Sequence, residues 1–191
     1  SVRYVSVLFF HLIFNSTNTN THNSLERSLD ELDLVNTLVA SVLLFGLDDL
    51  LYNLAHRFMH WRPIYPWIHK IHHRQYLPER GYWDAAIEHP VEQLIGLGVF
   101  WVALEVVFRV TGMHLAGFLF SFLFYSFFNI VNHMPYDTQF MFLGFTYSTR
   151  AHEMHHRYPN CNYSKSCMLW DKLFGTYRPY HADSNKKSKS K

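Results

Sequence analysis

Two long apolar segments lie next to each other in the middle of the chain, and they limit what it can fold into. Leu94 to Val110 and Met113 to Val131 are separated only by Thr111 and Gly112. A helix needs about 20 mostly apolar residues to cross the hydrocarbon layer of a bilayer, and each segment approaches that length. The pattern therefore predicts a tight helical hairpin that crosses a membrane and returns.

A third apolar segment precedes this hairpin. It is apolar from Leu34 to Leu47 and amphipathic from there to His60. One helix over these residues would be about 40 Å long, which exceeds the hydrocarbon thickness, so its C-terminal end is expected to project into water. The shorter segment Val2 to Phe14 has three interpretations: the remnant of a further span, a buried helix, or the apolar part of a signal peptide. Because the sequence begins with Ser1 rather than Met, a fragment of a longer protein is also possible.

Basic residues predict the orientation of these segments. One group follows the third segment and another follows the hairpin: Arg57, Arg62, Lys70, Arg74 and Arg80, then Arg150, Arg157, Lys165, Lys172 and Arg178. Cytoplasmic loops carry such an excess of lysine and arginine, and a hairpin of two spans returns the chain to the side that it left. We therefore predict an all-α integral membrane bundle of about three to four transmembrane helices with a cytosolic, histidine-rich helical cap.

Composition excludes several other classes. The 191 residues suffice for one domain, and 18% aromatic residues with only 8 Gly and 7 Pro are atypical of collagen or a wholly disordered chain. Two cysteines cannot form a disulfide framework, and a net charge of +2 provides no basic excess for nucleic acid. We divide the sequence into an N-terminal apolar segment and polar loop (1–33), a catalytic domain (34–180) and a disordered Lys/Ser tail (181–191).

Histidine is strongly over-represented. The chain has 14 histidines, whereas about four would be expected at roughly 2%. Nine of them form an HxxxH pair, two HxxHH triplets and one single position: His56 and His60, then His69, His72 and His73, then His133, and finally His152, His155 and His156. We expect each triplet, with its helical i, i+3, i+4 spacing, to present three neutral imidazoles to one metal ion. His11, His22, His114 and His181 lack such partners in the sequence, and we interpret them as ordinary histidines.

Nine histidine ligands exceed the needs of one ion. Zinc takes four ligands and iron about six, so two ions are the economical number. The paired Glu-x-x-His motifs of carboxylate-rich diiron bundles are not found in this sequence. A nearly all-histidine pair of irons at a membrane surface favours oxygen activation, because zinc hydrolysis needs neither so many ligands nor redox change.

The combined motifs resemble the fatty acid hydroxylase/sterol desaturase superfamily of membrane diiron oxygenases. Besides the histidine pattern, three segments match: Asp49-Leu50-Leu51-Tyr52 before His56, His89-Pro90-Val91-Glu92, and Leu169 to Thr176 (LWDKLFGT). The resemblance extends from Leu34 to Pro179. It implies that the nine histidines hold two irons, which use O2 to hydroxylate or desaturate a C–H bond of a sterol or fatty acyl lipid.

The resemblance also implies an electron source and leaves one ligand open. Electrons come from NAD(P)H through cytochrome b5, and the pair His89-Pro90 lacks the following glycines of a fused cytochrome b5 domain, so a separate donor is expected. Some members have another histidine where this chain has Asn129. The ligand count is therefore nine, or ten if His89 contributes.

Carboxylates are expected around the ligands, because a metal-bound imidazole usually donates its other N–H to a carboxylate or carbonyl. The candidates are Asp49, Glu88, Glu92, Glu153 and Asp171, each of which is alternatively an ordinary surface carboxylate. The phenylalanines between Phe118 and Phe128 either line a lipid channel or face the bilayer and neighbouring helices.

Two other functions compete with the oxygenase. His152 to His156 also reads as H-E-x-x-H, the zinc-protease signature with Glu153 as general base, but it leaves unused the six of the nine histidines that lie outside this segment. A non-catalytic metal- or haem-binding membrane protein is the other alternative.

Lys187 to Lys191 resembles a K-x-K-x-x retrieval signal and, with the family resemblance, indicates the endoplasmic reticulum membrane with a cytosolic C-terminus. The His-Pro-x-Glu segment favours a sterol substrate, and hydroxylation and desaturation remain open.

Overall fold

The protein is described by a computed structural model over residues 32–142 and 145–180. Its elements in chain order are α1 (Leu34–Met59), a 3-10 helix (His69–Arg74), α2 (Tyr82–Ala85), α3 (Pro90–Thr111), α4 (Leu115–Val131), β1 (Gln139–Phe142), β2 (Phe145–Ser148), α5 (Thr149–Arg157) and α6 (Leu169–Leu173). The predictions for the segment Val2 to Phe14, the Lys/Ser tail with its retrieval signal, His11, His22 and His181 concern residues outside these ranges.

The long helix α1 begins at a side-chain cap. The Asp33 carboxylate accepts hydrogen bonds from the backbone N–H of Val35 at 2.8 Å and of Asn36 at 3.2 Å, which satisfies donors that the first turn leaves free. The helix has 26 residues, or about 39 Å. The single long helix predicted from the sequence is therefore present, and its length exceeds the thickness of a hydrocarbon layer.

The helical hairpin predicted from the sequence is present. α3 ends at Thr111, and Gly112 follows in the left-handed region (φ 63°), which a glycine adopts at little cost. The His114 side chain caps the start of α4 by accepting from the Ala116 N–H at 3.1 Å. This turn reverses the chain within three residues, so α3 and α4 run antiparallel.

The three long helices pack together and leave a broad apolar exterior. α1 contacts both α3 and α4, and the core contains Ala40, Leu44, Phe100, Ala103, Val107 and Met113. α1 and α3 are long and apolar enough to cross a membrane, yet only 28% and 22% of their most apolar windows are buried. The core helix of a water-soluble protein would be mostly buried, so this exposure indicates membrane association. α4 is apolar but shorter, at 17 residues.

The expectation of an all-α chain is wrong at one place. β1 and β2 form an antiparallel hairpin in which Phe140 pairs with Tyr147 and Met141 with Thr146. Successive side chains point to opposite faces of the hairpin, and on one face Phe140 and Tyr147 pack against Phe128 of α4. The rest of the described chain is helical or irregular, so the protein is mostly helical.

Helix α5 is polar and nevertheless buried. Eight of its nine residues are buried, among them His152, Glu153, His155, His156 and Arg157. Burial of so many polar side chains is unfavourable unless each finds a partner. The partners of these side chains therefore define the site.

Candidate metal centre

Four elements bring histidines to one region next to the ends of the long helices. The last turn of α1 supplies His56, and its C-cap is His60. The 3-10 helix supplies three histidines, His133 follows the end of α4, and α5 supplies three more. Residues far apart in the sequence therefore meet in space: the ring centroids of His56 and His155, 99 positions apart, are 4.4 Å from each other.

The nine histidines divide into two clusters. The five-histidine cluster contains His56, His60, His69, His73 and His155, and the four-histidine cluster contains His72, His133, His152 and His156. Within each cluster the offered ring nitrogens all lie within 4.8 Å of one another. The clusters adjoin, because the ring centroids of His73 and His156 are 4.9 Å apart.

The division corrects the prediction that each HxxHH triplet points at one ion. The outer histidines of each triplet, at i and i+4, share a cluster, and the middle histidine joins the other one. In α5, neighbouring residues point about 100° apart around the helix. His155 therefore faces the five-histidine cluster while His156 faces the four-histidine cluster. Each triplet therefore contributes histidines to both clusters.

Hydrogen bonds determine which ring nitrogen faces each cluster. His56 Nδ1 donates to the Tyr163 carbonyl and His155 Nδ1 to the Cys161 carbonyl, both at 2.7 Å. His69 Nδ1 donates to Glu92 Oε1 at 2.7 Å, and His133 Nδ1 to the Asn129 carbonyl at 2.9 Å. Carbonyl and carboxylate oxygens only accept, so Nδ1 carries the proton and Nε2 of the neutral ring presents a lone pair.

These lone pairs face each other, which calls for a cation between them. The Nε2 atoms of His56 and His69 are 2.8 Å apart, although both rings already use Nδ1 as the donor. The other Nε2 to Nε2 distances within the clusters are 3.0 to 3.3 Å. Adjacent nitrogens at about 2.1 Å from one metal in octahedral geometry would be about 3.0 Å apart. The residues therefore fit a transition-metal ion in each cluster.

Burial keeps the rings neutral. It lowers the pKa of His72, His152, His155 and His156 well below the usual range, and that of His73 to about 3. The neighbouring histidines add to the effect, since a second positive charge nearby disfavours protonation. Neutral imidazole is the form that binds a metal.

Of the predicted supporting carboxylates, Glu92 alone hydrogen-bonds to one of the nine histidines within the described ranges. Asp49 accepts from the backbone N–H groups of Lys165, Ser166 and Cys167 at 2.7–3.2 Å. Asp171 accepts from the N–H groups of Tyr163 and Ser164 at 2.9 and 2.8 Å. These two carboxylates hold the loop whose Tyr163 carbonyl orients His56, so they act one step further from the ligands than predicted.

The other two carboxylates have different surroundings. Glu153 pairs with Arg150 at 2.5 Å and with Arg157, one turn later on α5. A general base of a zinc protease must be free to take a proton from water, and these two ion pairs disfavour that role. Glu88 is half-buried, and burial raises its pKa to about 7.

His89 and His114 lie outside both clusters and have structural roles. Each is an N-cap: His89 Nδ1 accepts from the Val91 N–H at 3.2 Å, and His114 caps α4 as described above. His89 is therefore not among the grouped ligands.

Cys161 and Cys167 are buried, free thiols, and burial raises the pKa of each to about 11. The sulfur atoms belong to neither cluster, although the Cys161 carbonyl serves His155.

Sequence reasoning missed the backbone acceptors. The carbonyls of Asn129, Cys161 and Tyr163 hold three of the nine rings, but a carbonyl leaves no signature in the residue type. Lys165 was also missed as a site residue. Its buried ammonium pairs with Asp48 of α1 at 2.7 Å and lies 3.6 Å from the centre of the Tyr125 ring of α4. It ties the loop to two of the long helices.

Taken together, the fold and the clusters define a membrane-associated helical protein with a double histidine centre. The family model described as fatty acid hydroxylase matches residues 41–176, and the chain belongs to this family. The predicted family resemblance is thereby confirmed. No solved structure matches the chain significantly.

Several curated relatives are similar to this chain. A methylsterol monooxygenase of Aspergillus fumigatus is 36% identical over 147 residues, which cover 74% of this chain and 48% of the relative. The methylsterol monooxygenase 1 of Rattus norvegicus is 30% identical over a match that covers 75% of this chain and 48% of the relative. A Delta(7)-sterol 5(6)-desaturase of Saccharomyces cerevisiae is 29% identical over a match that covers 65% of this chain and 32% of the relative. The chain thus spans about half the length, or less, of these relatives.

Proposed function

We propose that the protein is a membrane diiron oxygenase that modifies a C–H bond of a sterol. The observation that carries this proposal is the pair of adjoining histidine clusters, in each of which the spacing of the ring nitrogens fits one metal ion. Family membership and the names of the relatives support an oxidative reaction on a sterol. Iron fits better than zinc because zinc has no redox chemistry.

The reaction needs electrons, protons and a dry site. Hydroxylation consumes O2, two electrons and two protons, and releases the alcohol and water; desaturation consumes the same reactants and releases two waters. Two irons would supply the reduction of O2 and the removal of hydrogen from carbon. The chain's own residues would orient the ligands through Glu92 and the three carbonyls, and burial of the four-histidine cluster would exclude bulk water. A separate donor such as cytochrome b5, reduced by NAD(P)H, would deliver the electrons.

The arrangement in the membrane follows from the helices and charges. α1, α3 and α4 would span the bilayer, and the histidine clusters would lie on the cytosolic side, where the basic residues of the loops concentrate. The endoplasmic reticulum is the proposed location, because the proposed substrate is a sterol and the tail resembles a retrieval signal.

Metal content tests the centre directly. The purified chain, loaded with iron under anaerobic conditions, is expected to hold about two irons by elemental analysis, and His72→Ala or His155→Ala is expected to lose iron. His89→Asn is the matched control, because asparagine keeps the N-cap of α3 outside the clusters. Stoichiometric zinc with peptidase activity would instead establish the protease alternative.

Turnover is tested separately. Expression in a yeast strain without its own methylsterol monooxygenase, followed by sterol analysis, should restore demethylated sterols, and His72→Ala should not. A second strain, without its sterol desaturase, distinguishes the two reaction types. Two bound irons without a changed sterol in either strain would contradict a sterol oxygenase and favour a non-catalytic metal protein.

A further inference from the structure

The ends of the long helices mark where a bilayer would begin and end. On the side away from the clusters, Asn36 Nδ2 of α1 donates to the Thr111 carbonyl of α3 at 3.1 Å, so these two helix ends are level. A hydrocarbon layer of about 30 Å corresponds to about 20 helical residues. Counting 20 residues from each end places the cluster-side boundary near Leu54 on α1 and Val91 on α3. α4 ends at Val131, close to the same level.

The β1–β2 hairpin packs at this boundary. The ring of Phe128, one turn before the end of α4, lies 4.8 Å from that of Tyr147 and 5.9 Å from that of Phe140 between centroids. Phe140 and Tyr147 stack on each other at 4.8 Å. Because Phe128 lies on the hydrocarbon side of Val131, the hairpin attached to it lies at the depth of the lipid headgroups and the first acyl carbons.

The hairpin exposes apolar side chains at that depth. Met141 is 76% exposed and Phe140 is 43% exposed, and the sequence from Phe140 to Phe145, FMFLGF, has no polar side chain. On α4, Phe124 and Phe127 are also exposed, and the centres of their rings lie 5.8 and 5.6 Å from that of Phe128. Phe140 extends the exposed apolar face of α4 through Phe128, and Met141, on the opposite face of the strand, adds a second apolar side chain whose exposure to water would be unfavourable.

We propose that the β1–β2 hairpin inserts into the cluster-side leaflet of the bilayer as an additional membrane-contacting element. Its partner is the acyl-chain region of lipids just below the headgroups. Interfacial depth suits a two-stranded hairpin, whose outer edges carry backbone groups that the hydrocarbon interior could not satisfy. One of these groups is already paired outside the hairpin, because the Thr146 carbonyl accepts from the Met168 N–H at 3.0 Å.

The insertion would connect lipid contact with the metal centre. β2 ends at Ser148 and α5, which carries three clustered histidines, begins at Thr149 without a linker. The Thr149 hydroxyl donates to the Tyr136 carbonyl at 2.6 Å and so ties the start of α5 to the segment before β1. The hairpin therefore holds α5 against the membrane surface.

Fluorescence in vesicles tests the insertion without requiring metal or activity. The full chain carrying Met141→Cys is labelled with an environment-sensitive nitrobenzoxadiazole dye and reconstituted into phosphatidylcholine vesicles, with and without lipid nitroxide-labelled at carbon 5. Asn160→Cys, an exposed position after α5, is the control for the aqueous side, and Leu123→Cys on the exposed face of α4 is the control for the membrane. The unsubstituted chain measures labelling of the two buried native cysteines.

Insertion predicts blue-shifted emission at position 141 and quenching at least twice that at position 160. Quenching equal to that at position 160 would overturn the proposal, and Phe140→Cys repeats the measurement if the first variant does not fold. Protection of position 141 by a second copy, seen as energy transfer between labelled chains without lipid quenching, would also overturn it. Loss of quenching at position 123 would instead contradict the membrane-spanning arrangement on which the proposal rests.

Discussion

At the scale of single residues, the Glu92 carboxylate has the most direct influence on the centre. One oxygen accepts the His69 Nδ1–H at 2.7 Å, and the side chain is only 4% exposed. An acceptor in this position holds the ring in place and raises the basicity of the ligand nitrogen. The remaining rings with a recorded Nδ1 acceptor use neutral carbonyls, so His69 is the one supported by a carboxylate in the described ranges.

Glu92→Ala should therefore weaken iron binding in the five-histidine cluster about 10- to 100-fold. Glu92→Gln should have a smaller effect, because the amide oxygen still accepts the hydrogen bond. The measurement is the iron that each purified variant retains against increasing concentrations of a chelator. The control is Glu105→Ala. Glu105 lies near the other end of the same helix, where it pairs with Arg109. Equal iron retention by Glu92→Ala and Glu105→Ala would show that Glu92 does not support a ligand.

At the scale of elements, the loop of residues 163–167 is held between α1 and α6. Asp49 of α1 and Asp171 of α6 together accept five of its backbone N–H groups. Lys165 of the same loop forms a buried ion pair with Asp48. The Tyr163 carbonyl, at the start of the loop, orients His56, so the position of a ligand depends on contacts to elements far apart in the sequence.

Asp49→Asn should loosen this loop. The amide offers one acceptor oxygen and turns a donor toward N–H groups, and an unsatisfied buried donor costs about 1–3 kcal/mol. We expect faster amide hydrogen exchange at residues 163–167 and a lower thermal midpoint, with some loss of iron. Asp137→Asn, at a largely exposed carboxylate, should leave all three unchanged. Unaltered exchange in Asp49→Asn would mean that the carboxylate does not hold the loop.

At the scale of the whole molecule, the clusters couple folding to protonation. Burial lowers the pKa of His72 and His152 well below the usual range and that of His73 to about 3, whereas an unfolded histidine has a pKa of about 6.5. Below about pH 6.5 the unfolded chain therefore binds more protons than the folded chain, so the free energy of unfolding decreases as the pH falls. Above about pH 7 these groups contribute little pH dependence, because they are neutral in both states.

The metal-free chain should accordingly melt at a lower temperature at pH 5.5 than at pH 7.5 in the same detergent. Bound metal should shift the transition upward at both values, and the shift should be smaller at pH 5.5, because protons compete for the same nitrogens. His72→Gln removes one titrating ring and should reduce the difference between the two pH values. A midpoint that is the same or higher at pH 5.5 would contradict the buried, neutral state of the clusters.

The sequence by itself predicted the features that depend on local pattern. The apolar segments predicted α1, α3 and α4 together with the turn at Gly112, because segment length and a glycine with positive φ are local properties. Histidine spacing identified the nine residues that the structure groups, and the combined motifs identified the family. The two-strand hairpin was missed. The stretch from Phe140 to Phe145 is apolar throughout, so it lacks the alternation of apolar and polar residues that would distinguish a strand from a helix.

Only the tertiary structure decided how the histidines are shared between the clusters. Spacing along one helix places residues on a face, but it does not say which other elements approach that face. His155 of α5 joins His56 and His60 of α1, and His72 of the 3-10 helix joins His133 after α4. The same reason separates Glu92, which contacts a ligand, from Asp49, which holds a loop: both are buried carboxylates near a histidine motif, and only long-range packing sets their partners.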